Sequence, residues 1–282
     1  MKIGIIGQGF VGTAVKEGLK HFHKIETFDL DISKRTCPSV DILLDKSTII
    51  FICVPTPMNK DGSCNTDIVE GIIKDINDIV VERQCSNRIV VIKSTVPPGT
   101  TERLNKECEN IQIVFNPEFL TEANFIEDFK NQDRIIIGGP RPASTKIRQL
   151  FYKAFPNAHI IKTGSTTAEM VKYMTNTFLA TKVSFANEIY NICCRLGIDY
   201  DKVTEYATLD ERLGHSHWSV PGPDGKKGFG GSCFPKDINA LIHLAGELEL
   251  CTEVLMGAWN TNLQVRPEED WKELKGRAVV NE

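Results

Sequence analysis

Residues 228–237 read Gly228-Phe229-Gly230-Gly231-Ser232-Cys233-Phe234-Pro235-Lys236-Asp237. A cysteine attacks an electrophile only as thiolate, and a nearby cation or a helix N-terminus favours that form. Glycines ahead of the thiol let a ligand approach the backbone. Pro235 suits a first helical position, so one helix is expected over 235–259. Cys233 would then sit just before its N-terminus, where the helix dipole favours a thiolate. Asp237 would fall in the first turn, as a reacting group or as a plain capping acid. The same ten residues would also accommodate an inert, half-buried cysteine.

A second cluster lies upstream. From 165 to 195 the chain has no proline, and apolar residues recur at helical spacing through Met170, Met174, Phe178 and Val183. Ser165 or Thr166 can cap this helix, with Glu169 in its first turn. At 1.5 Å per residue it would run about 45 Å, a length suited to bridging domains or to a dimer interface. Lys172 and Asn176, four apart, share one face. Both could donate to one developing oxyanion, although a solvated lysine beside a polar neighbour reads the same way. His215 and His217 have no nearby cysteine or acid to complete a metal site, so no metal is expected.

These groups need a frame, and the first half supplies one. Residues 2–6 are a short apolar run; Gly7-Gln8-Gly9-Phe10-Val11-Gly12 then opens an amphipathic stretch to about residue 20. A second strand, 25–30, brings Asp29 and Asp31. This is the dinucleotide-binding fingerprint in strand–turn–helix context: Gly7 for the tight turn, Gly9 for approach of the pyrophosphate, Gly12 for helix–strand packing. Asp29, favoured over Asp31, would bond ribose hydroxyls and repel a 2′-phosphate, which selects NAD over NADP. Further strands are expected at 48–54, 88–94, 111–115 and 134–138, with helices near 66–82 and 100–109. Their unbroken Ile and Val runs fit a parallel sheet covered on both faces. Three proline-stiffened loops leave the strand ends where ligands bind in such sheets: 54–57 (Val54, Pro55, Thr56), 94–100 (with Thr95) and 116–123. The fold class is therefore α/β, an N-terminal Rossmann-type doubly wound parallel sheet followed by an all-helical central and dimerisation domain.

Composition narrows the function. The formal charge of −4 comes without a basic stripe, which argues against a nucleic-acid partner. Nine cysteines, an odd number without CxxC pairs, point to a reducing, cytoplasmic setting. No apolar run approaches the roughly 20 residues of a membrane span.

Taken together, 7–12, 54–57, 94–101, 116–123, 169–176 with Asn187-Glu188, and 228–237 resemble the nucleotide-sugar dehydrogenases, the UDP-glucose/GDP-mannose dehydrogenase family. The segments follow family order along nearly the whole chain. The resemblance implies oxidation of a sugar C6 alcohol to a carboxylate with reduction of two NAD, and UDP-glucose is the substrate favoured by overall likeness. Cys233 would form a thiohemiacetal and then a thioester, with Lys172 and Asn176 at the oxyanions. It also implies Glu118 as general base, Thr95 and Asp237 positioning water, and Glu122 near the nicotinamide. Phe119 and Leu120 would contact the sugar nucleotide through their main chains, and Phe229 and Gly230 would add contacts from the cysteine loop. Arg212 would reach the other copy's site in a homodimer built on the long helix. The expected domains are 1–164 (NAD-binding), 165–265 (central) and 266–282, the truncated start of a third domain that holds the substrate's nucleotide. Two other readings stay open: a two-domain β-hydroxyacid dehydrogenase, which needs no thiol, and a non-catalytic NAD-binding remnant.

Overall fold

A computed structural model describes residues 1–85 and 87–281. The chain forms two compact units, Met1–Thr56 with Thr66–Lys172, and Pro57–Asn65 with Tyr173–Glu282. In the first unit strands and helices alternate: β1 (Lys2–Ile6), α1 (Phe10–Leu19), β2 (Lys24–Phe28), α2 (Val40–Lys46), β3 (Ile49–Ile52), α3 (Asp67–Glu82), β4 (Arg88–Ile92) and α4 (Thr100–Glu107). Then come β5 (Ile111–Phe115), α5 (Phe125–Lys130), β6 (Arg134–Gly138), α6 (Ala143–Ala154) and β7 (His159–Thr163). Among the described residues seven strands make one sheet, in the order β2-β1-β3-β4-β5-β6-β7.

The strands are apolar throughout because both faces are covered. Side chains alternate across a sheet. Ile50, Ile52, Val90 and Ile92 pack on one side with α2, α3 and α4 through Leu43, Ile73, Ile76 and Leu104. Ile49, Phe51, Ile89 and Val91 pack on the other with α1, α5 and α6 through Val15, Leu19, Phe129 and Leu150. An open α/β sheet built this way leaves the strands' carboxyl ends to loops, and these loops carry the candidate site.

Two features differ from the expected uniformly parallel sheet. β1 to β5 are parallel, but β6 pairs with β5 antiparallel, at Phe115 and Gly138. A parallel return needs a crossover long enough to recross the sheet. Here 116–124 is loop, and the six residues of α5 span only about 9 Å. The second feature, β7, pairs parallel with β6 at the sheet edge and is largely exposed, so it lacks the apolar run that marks the inner strands.

α7 (Ser165–Leu196) starts in the first unit and continues into the second, so the units divide within this helix rather than at its N-terminus. The second unit adds α8 (Tyr200–Ala207), α9 (Phe234–Glu247) and α10 (Glu253–Val265). Small cores form around Phe229, Ile238 and Ala258, and around Cys193, Tyr200 and Val220. The single helix expected over 235–259 is thus two. α9 stops where Glu249 takes φ +58° and the Leu250 N–H returns to the Ala245 carbonyl. Glycine or asparagine usually fills that left-handed position, so Glu249 leaves no mark of the break in the sequence. Residues 57–65 join this unit through Met58, whose backbone pairs with Ala278 and Val280. Trp271 is fully buried, so 266–281 packs into the second unit. Among the described residues no helix is long and apolar enough to cross a membrane.

Candidate active site

The glycine loop of the first unit is fixed by backbone contact. A Cβ on Gly12 would lie 1.8 Å from the Gly7 carbonyl oxygen, so α1 can approach β1 only with glycine there. Gly9 is the opposite case. It precedes α1 without any side-chain cap, and a Cβ on it would meet nothing within 4 Å. Open space before uncapped helix N–H groups fits an anionic pyrophosphate. Asp29 braces the loop, accepting from the Gln8 N–H at 2.6 Å and from the Asp31 N–H at 2.8 Å. The Asp31 carboxylate instead bonds Ser33. Phe10 stacks edge-on to Phe125, with ring centroids 5.1 Å apart, and Val11 is half-buried. These residues fit a dinucleotide without a 2′-phosphate.

The neighbouring loops are bound to one another. The Ser94 hydroxyl donates to the Val54 carbonyl at 2.6 Å; Thr56 and Thr95 are buried, and Pro55 is exposed. Glu169, fully buried, accepts from the Gly99 N–H (2.6 Å) and the Thr101 N–H (2.8 Å), capping α4 from the second turn of α7 and not from the expected first, because the helix already begins at Ser165. Burial pushes its carboxyl above the usual value, more than the Thr101 and Gly99 donors pull it down.

Glu118 lies in the loop after β5. Its Oε1 accepts from Lys172 Nζ at 2.8 Å and its Oε2 from the Leu120 N–H at 2.8 Å, while Lys172 also donates to the Glu118 carbonyl. Burial alone would raise this carboxyl. The Lys172 ammonium, the Leu120 N–H and Lys93 together hold it below its ordinary value. Phe119 is half-buried under the Arg134 guanidinium, 4.4 Å from the ring centroid, and Glu122 is exposed.

In the second unit Cys233 is the N-cap residue of α9, partly exposed, and its carbonyl accepts the Asp237 N–H. Asp237 is buried between two donors: Asn176 Nδ2 at 2.6 Å and Lys236 Nζ at 2.5 Å. Burial opposes the Lys236 charge, but Asp237, Cys64 and Cys233 outweigh it and hold this ammonium above its ordinary value. The loop ahead of the thiol is clamped. Gly228 has φ +67° and donates to Asn187 Oδ1 at 3.2 Å; a Cβ there would lie 2.4 Å from Asn262 Oδ1. Asn262 holds both peptide groups of Phe229. A Cβ on Gly230 would lie 2.4 Å from the Arg266 guanidinium. Phe229, expected among the substrate contacts, has its ring in the core and its peptide groups on Asn262, so it holds the loop in place. Arg212 is exposed and pairs with Asp210. All nine cysteines are free thiols, and no metal-binding cluster of three or more His, Cys, Asp or Glu occurs among the described residues.

Sequence reasoning assigned no role to Lys93, Asn262 or Arg266, and read Glu169 only as a first-turn residue. Each acts on a segment distant in sequence, and none belongs to a local pattern that marks it.

The chain thus joins a seven-stranded sheet with a glycine loop to a helical unit with a thiol at a helix N-terminus. Family models of the UDP-glucose/GDP-mannose dehydrogenase family match twice, its NAD binding domain over 38–156 and its central domain over 166–264. The UDP-glucose 6-dehydrogenase YwqF of Bacillus subtilis (strain 168) is 34% identical over 299 residues, covering 93% of this chain and 66% of the relative. That of Rickettsia bellii (strain RML369-C) is 33% identical over 298 residues, covering 93% and 67%. Among solved structures, a UDP-glucose dehydrogenase from Pyrobaculum islandicum superposes with TM-score 0.84 at 29% identity, covering 94% of this chain and 68% of that one. The chain belongs to the UDP-glucose/GDP-mannose dehydrogenase family, and its first unit is an NAD-binding domain. It spans about half to two thirds of the length of the curated relatives it matches.

Proposed function

We propose that the chain acts as an NAD-dependent nucleotide-sugar 6-dehydrogenase, converting UDP-glucose to UDP-glucuronate through a covalent adduct on Cys233. One observation carries this reading: a thiol at the N-terminus of α9, next to the buried Lys236–Asp237 pair, in a loop clamped by Asn187 and Asn262. A helix N-terminus and a neighbouring ammonium both favour the thiolate. The names of the two relatives described above support the substrate class.

NAD, when bound, takes up one hydride in each of the two oxidations at C6. Gly7, Gly9, Phe10, Val11 and Gly12 would hold its pyrophosphate end and Asp29 its ribose. Val54, Pro55, Thr56, Thr95 and Glu122 would line the path to the nicotinamide. The Cys233 thiolate adds to the C6 aldehyde carbon, and the thiohemiacetal keeps one C6–H. Loss of that hydrogen as hydride leaves a thioester. Lys172 and Asn176 would donate to the oxyanions of the adducts. Glu118, kept ionised by Lys172, takes a proton from the water that adds to the thioester, and Thr95 and Asp237 orient that water. The C–S bond then breaks, returning the thiolate and releasing the carboxylate. Phe119, Leu120 and Gly230 would contact the sugar nucleotide, and Arg212 would reach a second copy of the chain.

Cys233→Ser tests the reading. With UDP-glucose and NAD it should form no UDP-glucuronate; an unchanged yield of two NADH per sugar would overturn the mechanism. A second reading is an NAD binder without catalysis. Calorimetry separates them: it requires tight NAD binding with no heat from UDP-glucose. A β-hydroxyacid dehydrogenase would instead turn over small hydroxyacids regardless of Cys233.

A further inference from the structure

Lys93 directly follows β4 and is 3% exposed. Its Nζ donates to Asn116 Oδ1 at 3.0 Å and to the Pro117 carbonyl at 3.3 Å. Asn116 in turn donates from Nδ2 to the Ile136 carbonyl on β6 at 2.7 Å. One ammonium therefore ties the end of β4 to the end of β5 and, through Asn116, to the middle of β6, immediately before Glu118. A buried cation is costly, and an apolar side chain of similar volume often replaces one without loss of stability. Nothing in the catalytic scheme above uses this charge.

The groups facing Lys93 come from each element packed on it: Cys53 after β3, Glu118 after β5, Lys172 on α7, and the face of the Phe129 ring on α5. Burial pushes the Cys53 thiol up to about 12, so it is neutral at ordinary pH and no anionic partner for Lys93. Burial lowers the Lys93 ammonium to about 8, against the pull of Glu118 and with the push of Lys172. The only carboxylate among these groups is Glu118.

We propose that Lys93 is a positioning residue for Glu118: it anchors the 116–117 turn by two hydrogen bonds and presents a second positive charge to the carboxylate that Lys172 already binds. The inference rests on the assignment of Glu118 as general base. Lys93 does not touch substrate; it sets the direction and the ionised state of the group that does.

The test compares Lys93→Met, which removes donor and charge, with Lys93→Gln, which keeps a donor. The acid limb of kcat for UDP-glucose oxidation should move up by about one pH unit in both, the size expected for loss of one nearby charge. In Lys93→Met, kcat should also fall by about tenfold or more at pH 7, the lower edge of a general-base contribution. KM should hold within about threefold, because only the base is displaced. Lys93→Gln should recover part of kcat but not the limb. Independently of turnover, the Glu118 carboxyl is titrated by carbon-13 NMR, identified by its absence in Glu118→Gln. It should titrate at higher pH in either Lys93 variant than in the parent. If Lys93→Met does not fold, Lys93→Gln decides. An unmoved Glu118 titration in a folded variant overturns the proposal. If UDP-glucose is not oxidised at all, the titration still decides the role of Lys93, separately from the proposed function.

Discussion

The side chain of Asn262 binds both peptide groups of Phe229, its Oδ1 accepting from the N–H at 2.7 Å and its Nδ2 donating to the carbonyl at 3.0 Å. A single carboxamide thereby fixes the loop four residues ahead of Cys233, and Asn262 is fully buried. Asn262→Ala would leave a donor and an acceptor unmet, each costing about 1–3 kcal/mol. Urea unfolding should show a lower midpoint with unchanged slope, for a total loss of about 2–6 kcal/mol. Asn262→Asp keeps the acceptor for Phe229 N–H, and should bond that group better than alanine while losing the carbonyl contact.

The two glycines of the nucleotide loop should separate binding from folding. Gly9→Ala puts a methyl into the open space before α1. Its melting temperature should change little, since glycine and alanine at an N-cap differ by about 1 kcal/mol or less. Its NAD affinity should fall at least about tenfold, or about 1.4 kcal/mol. In Gly12→Ala the clash is with backbone oxygen, which no rotamer change relieves. That variant should lose NAD binding together with more than about 3 kcal/mol of stability. Calorimetry with NAD and thermal unfolding of the same samples read both quantities.

The contrast between these sites explains what could be read from the sequence. The meaning of Gly7, Gly9, Gly12 and the cysteine decapeptide lies within a few residues, in turn geometry and helix starts. Lys93, Glu169 and Asn262 take theirs from partners 23, 70 and 33 residues away. No periodicity reports such a partner. The antiparallel entry of β6 was hidden for a related reason: it depends on how much of 116–133 becomes loop and how little becomes helix. The break after α9 was hidden because Glu249, an ordinary helix former, takes the left-handed turn.

Arg266 is buried and bonded to Asp270 and Asp224. Hydrogen bonding from Arg266 holds the Asp270 carboxyl well below the usual range, against burial and with help from Lys226. A carboxyl depressed on folding stabilises the protein above its unfolded value, near 3.9, and that contribution is lost as pH falls toward the folded value. Asp270→Asn should therefore destabilise by about 1–2 kcal/mol at pH 7, a modest figure because Asp270 is partly solvated. The gap to the parent protein should narrow progressively below about pH 4. Urea unfolding at pH 7, 4 and 2.5 measures it.

Along α7, Met174, Phe178, Phe185, Ile192 and Leu196 are all at least half exposed. Their spacing of four, seven, seven and four puts them on one helix face. An exposed apolar row of this kind marks an interaction surface, and the proposed homodimer would cover it. Phe178→Glu with Ile192→Glu should shift the sedimenting species from dimer to monomer while leaving far-UV circular dichroism unchanged.

Glu169 belongs by sequence to α7 but by hydrogen bonding to the loop that opens α4. A fragment ending after β7 would keep all seven strands described above and still be incomplete. The Gly99 and Thr101 N–H groups would face no acceptor, and Glu118 would lose the ammonium of Lys172. The boundary of the nucleotide-binding unit is therefore set by donors and acceptors, at Lys172, and not by the last strand at Thr163.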